Sequence, residues 1–437
     1  MVYQLKIAAL SDFHLGVKRG SPREKDSFEQ AREAIERALE LDAQLILISG
    51  DIFDGRIPDQ EVWSEAMKIL SLASERENQG VKLADTIEKN EDEITALPLR
   101  GTPVIAIHGN HERRGKEFVD SIEALESSGL IIRLHHNSIV MDTPDGKIAI
   151  HGMGYVPEGY AKDLLDRWKP KPVEDAINIL MIHQGLGTFT YSSEERPTLK
   201  PADLPDGFDL YVSGHVHYRA ESEIQGEPLI FPGSTIRTQL LPIEAERPKG
   251  FYMIDIEGDV PDFKFIELDS VRDFFYKKKE FEGATSREVE KWVKSTLEEL
   301  GEGERKNRDK RPIVRFRLLG TLSKGSSRSD IELNSIERRW GDYFLISISR
   351  EDLSSPDLEE KTQFLKDIRQ EKISMEERGM KILESNLEDL NYDQRFDYRM
   401  VFNLLSEDRV EEAFDKISDE LNQSIDHALE ENNDNSS

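Results

Sequence analysis

Residues 5–16 read LKIAALSDFHLG, and this stretch sets the grammar of the N-terminal half. A short apolar run, Leu5–Leu10, is apolar at nearly every position rather than at alternate ones, which predicts a strand covered on both faces. It ends in small and polar residues and then offers Asp12 and His14. The same sentence recurs four times. LILISGDIFD (45–54) leads to Asp51 and Asp54, and VIAIHGNHE (104–112) to Asn110 and His111. NILMIHQG (178–185) leads to His183, and LYVSGHVHY (210–218) to His215 and His217. Lys147–His151 is a further strand candidate. Between the first two runs Phe28, Ala31, Ile35 and Leu39 recur at helical spacing. Ser74–Glu93 is charged and reads as a helix extension or loop. Strand–helix alternation predicts an α/β sheet with helices on both faces. The five fragments fall just after strands, where open α/β sheets place their sites.

The residue types in those fragments suit one task. Carboxylate, imidazole and amide oxygen hold Mn, Fe or Zn without thiolate. If Asp12-Phe13-His14 is extended, alternate side chains share a side and both reach one ion; the same holds for His215 and His217. The glycines before each ligand let the backbone turn sharply. A carboxylate at Asp51 can bridge two ions ~3.5–4 Å apart, the spacing that clamps both oxygens of an in-line displacement. Each fragment alone is common, and a lone His at a strand end is more often structural. Five in order, each after a strand, are hard to reach by accident. Five of the ten histidines, His14, His111, His183, His215 and His217, are the ligand-type residues to which these strands lead. His108, His135, His136, His151 and His427 have no such setting and read as structural or exposed.

Composition bounds the rest. The 437 residues suggest two or three domains, and 37% hydrophobic against 33% charged residues gives a sizeable core under a charged surface. No run approaches the ~18 apolar residues of a membrane span. The N-terminus enters a strand directly, so no signal peptide is expected and a cytoplasmic location is the default. With no cysteine, zinc fingers, disulfides and thiol nucleophiles are excluded. The net charge of −29 argues against nucleic acid unless basic patches or a partner compensate. One patch is Arg305, Lys306, Arg308, Lys310, Arg311, Arg315 and Arg317, which is either a solvated loop or a phosphate-contacting surface. Near the core motifs, Lys18, Arg19, Arg23, Arg113 and Arg114 could add to it. The texture changes near Ser270. Trp292, Thr296 and Leu300 lie at helical spacing, RPIVRFRLL (311–319) and YFLISIS (343–349) read as strands, and a small α+β domain fits 271–350. Beyond it the chain is helical. Val410, Phe414, Ile417, Leu421 and Ile425 form a stripe, Phe364, Leu365 and Ile368 a second apolar set, and ENNDNSS a disordered tail.

The motif series resembles the calcineurin-like metallophosphoesterases over roughly residues 5–240. Within them it is similar to the Mre-eleven/SbcD nucleases of DNA double-strand-break repair. DFHLG, GDIFD, GNHE, GHVHY and FPGST-x-R (Phe231–Arg237) carry the likeness. The resemblance implies a two-sheet metallophosphoesterase sandwich flanked by helices. It implies a nuclease core at 1–270, a DNA-contacting cap at 271–350, and a helical region at 351–437 that binds a Rad-fifty/SbcC-like ABC-type ATPase. It implies two Mn(II) ions, one on Asp12, His14, Asp51 and His217, the other on Asp51, Asn110, His183 and His215. His111 is then catalytic rather than a ligand, stabilising the transition state and helping to protonate the leaving 3′-oxygen. Asp54 is the second catalytic candidate; many close relatives carry His there, and Asp is similar to the broader phosphoesterase pattern. The implied activities are double-strand 3′–5′ exonuclease and single-strand endonuclease, on duplex ends and single strands, in a homodimer. The alternative is a metallophosphoesterase acting on a small nucleotide, for which the 160-odd residues after the core are surplus.

Overall fold

The computed structural model describes residues 5–115, 117–157, 159–191, 198–257, 260–355, 368, 373–389 and 397–419. The first 270 residues give, in order, β1 (Leu5–Leu10), α1 (Asp26–Glu40), β2 (Leu45–Ile48), α2 (Gln60–Glu75), β3 (Lys82–Ile87), β4 (Val104–Ala106), α3 (Ser121–Ser127), β5 (Ile132–Arg133) and β6 (Asn137–Thr143). They continue with β7 (Gly146–Met153), α4 (Ala161–Trp168), β8 (Ala176–His183), β9 (Leu210–Gly214), β10 (Ala220–Ile224), β11 (Glu227–Phe231), α5 (Pro242–Glu246), β12 (Gly250–Glu257) and β13 (Val260–Glu267). One sheet has the order β13-β12-β1-β2-β4-β5 and the other β10-β11-β9-β8-β7-β6-β3.

The apolar runs explain the layers. Ile7 and Ala9 of β1, with Leu45, Leu47 and Ile105, form one core cluster with Ile148, Ile150, Ile179, Met181, Leu210 and Val212 of the other sheet. The alternate residues Ala8, Leu10, Ile46 and Ile48 pack on Ala31, Ala34 and Ile35 of α1 and Ala66 and Ile69 of α2. Leu180, Ile182 and Tyr211 face outward with Leu165 of α4. Each central strand is therefore buried on both faces, one by helices and one by the partner sheet. Fully burying an Ile or Leu is worth roughly 1.5–3 kcal/mol, so both faces hold the register. The result is the helix-flanked two-sheet sandwich that the resemblance implies; strand–helix alternation alone had pointed to a single sheet.

The stretch Ser74–Glu93 is neither helix extension nor plain loop. After α2 ends at Glu75 it forms β3, paired antiparallel with β6 at the sheet edge, with a register shift between Leu83 and Asp85. An edge strand exposes one side, and Lys82, Ala84 and Asp85 face solvent, so its apolar signal is too thin to read.

Beyond Ser270 come β14 (Phe274–Ala284), α6 (Ser286–Glu302), β15 (Ile313–Leu322), α7 (Leu333–Trp340), β16 (Leu345–Ser349) and β17 (Leu353–Ser354). They form a third sheet of order β14-β15-β16, with β17 on β15. α6 is the expected helix: Val289, Val293, Thr296 and Leu297 are its buried side, with Trp292 and Leu300 at the margin. Further helices are α8 (Met375–Asp389) and α9 (Tyr398–Ser406), and residues 410–419 are helical. The chain falls into two compact units. One comprises 1–278, 295–317 and 334–348, the other 279–294, 318–333 and 349–437.

Within the first unit the basic run has intramolecular work. Lys306 pairs with Glu267 at 2.8 Å and Lys310 with Glu29. Arg305 lies 5.1 Å over the Phe344 ring, Arg311 donates to the Gly341 carbonyl, and Arg315 to Ser347 Oγ. In the second unit Val410 and Phe414 are 56% and 69% exposed. Leu421, Ile425, Phe364, Leu365 and the tail lie outside the described residues. Among the described residues no helix is long and apolar enough to cross a membrane.

Candidate metal centre

Parallel pairing of β1 with β2 and of β2 with β4 aligns the three strand ends in one sheet; β8 pairs parallel with β9 in the other. All five loops therefore open at one edge of the sandwich. The first two loops are laced together: Asp12 N–H donates to the Gly50 carbonyl, His14 N–H to that of Asp51 and Leu15 N–H to that of Ile52, all at 2.9–3.0 Å. Asp12 and His14 are not in an extended segment, as their spacing alone had suggested. They have φ of 53° and 46°, Asp51 has 49° and His215 has 74°. Left-handed non-glycine residues cost on the order of 1–3 kcal/mol each and gather at functional sites. The ligand-type side chains are aimed by this strained backbone, not by strand alternation.

Asp12, His14, Asp51 and His217 each bring one donor atom within 4.8 Å of the others, and all four are buried. His14 Nε2 lies 3.0 Å from His217 Nε2, 3.8 Å from Asp51 Oδ2 and 4.0 Å from Asp12 Oδ1. A second group adjoins it. His183 Nε2 is 3.4 Å from Asp51 Oδ2 and 3.2 Å from Asn110 Oδ1, which is 3.0 Å from His215 Nδ1. Asp51 Oδ2 faces both groups, while its Oδ1 accepts the His111 N–H at 3.0 Å. The donor set fits divalent cations. With His14 Nδ1 on Asp54 and His217 Nδ1 on Thr238, the two Nε2 atoms stand 3.0 Å apart beside the buried carboxylates of Asp12 and Asp51, a set of imidazole and carboxylate donors that suits a divalent cation. Residues 5–219 match the model of the calcineurin-like phosphoesterase family. They are a calcineurin-like phosphoesterase domain, the fold of a metal-dependent phosphoester hydrolase.

Curated relatives resemble more than this domain. The DNA double-strand break repair protein Mre11 of Methanopyrus kandleri is 29% identical over 290 residues, which is 62% of this chain and 58% of that protein. The Sulfolobus acidocaldarius protein of the same name is 25% identical over 368 residues, 80% of this chain and 86% of the relative. The human double-strand break repair protein MRE11 is 24% identical over 305 residues, 62% of this chain and 42% of the relative. The chain thus matches little more than half the length of the Methanopyrus protein and less than half of the human one.

The electrostatics of the phosphoesterase centre follow from burial. Burial pushes the Asp12 carboxyl up, helped by Asp51 and opposed by His183. Asp51 is as buried, but His183 and His14 outweigh that cost and hold it low. Burial disfavours a proton on His183, yet Asp51 and Asp12 raise it to about 9; a field that attracts a proton attracts a metal ion. His217 is held far below its ordinary value by burial, His14 and Lys249, so the ring stays neutral and keeps one lone pair.

The backs of the rings are held, as those of metal-binding imidazoles are, and the acceptor-only partners of His14 and His183 also fix their tautomers. His14 Nδ1 meets Asp54 Oδ1 at 3.1 Å, His183 Nδ1 the Ser49 carbonyl at 2.6 Å, and His217 Nδ1 Thr238 Oγ1 at 2.6 Å. His111 lies at the margin of the centre, in a second donor group whose atoms come within 4.8 Å of those of His14 and Asp54; its Nδ1 donates to the Asp54 carbonyl at 2.8 Å, leaving Nε2 free of that bond. Glu112, fully buried, accepts N–H from Phe53 at 2.8 Å and from Gly109 at 2.7 Å, tying the second loop to the third; burial pushes it up to about 8. The motif glycines do more than turn the chain. Of the three that directly precede ligand-type residues, only Gly50 has a left-handed φ, 101°; at Gly109 a Cβ would sit 1.9 Å from Asp51 Oδ1, and at Gly214 2.0 Å from the Ser49 carbonyl. The ligands pack on bare backbone there.

Sequence reasoning assigned no role to Thr238, Ser49 or Glu112, nor to Tyr155 and Tyr191, whose rings lie 5.9 and 5.8 Å from His215. The one available signal was FPGST-x-R, which ends at Arg237 beside Thr238. The remaining described histidines lie elsewhere. His108, His135 and His136 stack in a row at 4.6 Å, and His151 sits between Ser138 and Asn178.

Proposed function

We propose that the chain is a two-metal Mn(II) phosphodiesterase, the DNA nuclease subunit of a double-strand-break repair complex with a Rad-fifty-like ATPase. The observation that carries this is Asp51 Oδ2, shared between the His14/His217 group and the His183/Asn110 group. In this reading Asp12, His14, Asp51 and His217 hold one ion, and Asp51, Asn110, His183 and His215 the other. When bound, two such ions make a water acidic enough to attack phosphorus and neutralise the phosphoryl oxygens. The chain's own residues do the rest. Asp54 fixes the His14 tautomer by accepting at Nδ1. His111, 30% exposed at the side chain, presents Nε2 to the leaving 3′-oxygen and hands it a proton.

The relatives' names support DNA as the substrate, cut by 3′–5′ exonuclease action on duplex ends and endonuclease action on single strands. The exposed Val410 and Phe414 support a helical surface that docks on the ATPase coiled coil. The 1–270, 271–350 and 351–437 division, a homodimeric state and a cytoplasmic location belong to the same reading. The test is Mn(II)-dependent cleavage of end-labelled duplex, single-stranded circle and bis(p-nitrophenyl) phosphate. Cleavage of the small diester with both DNAs untouched, alone and with the ATPase, refutes the nuclease and favours a small nucleotide substrate.

A further inference from the structure

The metal group nearest α5 stands on a buried ion pair. Lys249 Nζ, 2% exposed, uses three donors: on the His217 carbonyl at 2.6 Å, Ser234 Oγ at 2.8 Å and Glu244 Oε1 at 2.8 Å. Glu244, 1% exposed in α5, spends its remaining capacity on a turn. It accepts the N–H groups of Thr238 at 3.3 Å, Gln239 at 3.1 Å and Leu240 at 2.7 Å. Leu240 takes φ 56° to complete that turn, and three N–H groups converge on one carboxylate as in an anion nest. Thr238, the first of them, holds His217 Nδ1 at 2.6 Å. The pair therefore grips His217 twice: through its carbonyl by Lys249, and through its ring by Glu244 and the Thr238 hydroxyl.

We propose that Glu244 and Lys249 are positioning residues for one metal ion of the centre, setting the place and ring orientation of His217 through its carbonyl and through Thr238. The proposal rests on the two-metal reading above. Neither side chain is a ligand, and their hydrogen bonds toward the centre run to the His217 carbonyl and to Thr238, which places the effect on the Asp12/His14/His217 side. A buried ion pair adds little stability over an apolar pair of the same shape, but removing a partner of a metal-bound imidazole lowers metal affinity by roughly 10–100-fold.

The experiment is calorimetric Mn(II) titration of the full chain, with thermal melting of the same samples. The variants are Thr238→Val, Glu244→Gln, Lys249→Met and the Glu244→Gln/Lys249→Met pair, which removes both charges and strands neither. The expected result is one ion bound as in the wild type and one weakened by roughly 10–100-fold, with the double variant melting close to the wild type. A charge variant that melts like the wild type and binds both ions undiminished overturns the proposal, as does equal weakening of both ions. If the charge variants do not fold, Thr238→Val decides, because the ring is reached through that hydroxyl; wild-type affinity there overturns it. Failure of the two-metal reading looks different, since the unmutated chain itself would then not bind two ions.

Discussion

Gly109→Ala puts the closeness of the centre to a direct test. The new Cβ would lie 1.9 Å from Asp51 Oδ1, 2.5 Å from Asp51 Cγ and 2.5 Å from Asp51 N. Asp51 backbone on one side and its buried carboxylate on the other leave no flexible chain end to yield. Either Asp51 or the 109–111 loop must retreat by about 1 Å, and a displacement of ~1 Å costs ~100-fold in rate. Because Asp51 Oδ2 faces both groups, the retreat should weaken both ions together rather than one. The variant also strains the bond from Asp51 Oδ1 to His111 N–H, moving the proposed proton donor. Gly55→Ala, four residues past Asp51, is the control: nothing lies within 4 Å of its Cβ. Two-site Mn(II) calorimetry and the turnover of a chromogenic diester read the outcome. A Gly109→Ala protein with two undiminished ions and wild-type turnover would show that Asp51 does not sit where both ions need it.

Other outcomes follow from the same geometry. His111→Ala should keep both ions and lose cleavage; metal loss in that sample would make His111 a ligand. Asp51→Ala should lose both ions and His14→Ala mainly one, and calorimetry showing two intact sites in Asp51→Ala contradicts bridging. His151 is lowered from 6.5 to about 4 by burial, so between those values the unfolded chain binds a proton that the folded chain refuses. Its contribution is present above pH 6.5 and is lost as pH falls toward 4, by up to about 3 kcal/mol at ~1.36 kcal/mol per unit. His151→Gln should therefore flatten the urea-measured stability slope in that window, and an unchanged slope means the imidazole charges without penalty. Phe414→Glu should leave diesterase activity intact and abolish binding to the ATPase coiled coil; undiminished co-purification would place the docking face elsewhere.

Legibility in the sequence tracked burial. β1, β2, β4, β8 and β9 are apolar on both faces and end in ligand-type residues, so strand and site announced themselves together. The same property hid the second sheet: when both faces are apolar, nothing in Ile7–Ala8–Ala9–Leu10 says which is covered by helix and which by sheet. β3 failed for the opposite reason, since an edge strand with exposed Lys82 and Asp85 resembles a loop. The ligand-type residues were legible because their chemistry is in their side chains. What orients them was not. The Ser49 carbonyl carries no signature, and Thr238 is 21 residues from His217 and one threonine among many. The left-handed φ at Asp12, His14, Asp51 and His215 was also invisible, because such angles favour glycine and none of these is one.

The charge of the chain takes its meaning from the same packing. A net −29 with a basic run at 305–317 invites the view that the run exists to meet phosphate. In the first unit, however, cations from 272–311 face carboxylates of the core. Arg272 grips the buried Asp26 at 2.8 and 3.0 Å, Lys310 reaches Glu29, and Lys306 reaches Glu267. Asp26 is 1% exposed and is also held by Arg23 at 3.4 Å. Taking Arg272 away would leave the buried Asp26 to Arg23 at 3.4 Å and Lys310 at 3.8 Å, so the cost stays below the roughly 3–5 kcal/mol of a fully stranded buried charge, whereas an exposed pair such as Lys306–Glu267 is worth ~0–1 kcal/mol. The cluster is thus of two kinds: members whose charge is committed to the fold, and surface members such as Lys306 that a phosphate could recruit at little cost. Each phosphate neutralised adds ~0.9 to the salt slope of binding, so if the proposed nuclease meets DNA through surface members such as Lys306, a Lys306→Ala variant should bind duplex with a slope shallower by about that amount, and an unchanged slope would place the phosphate contacts elsewhere.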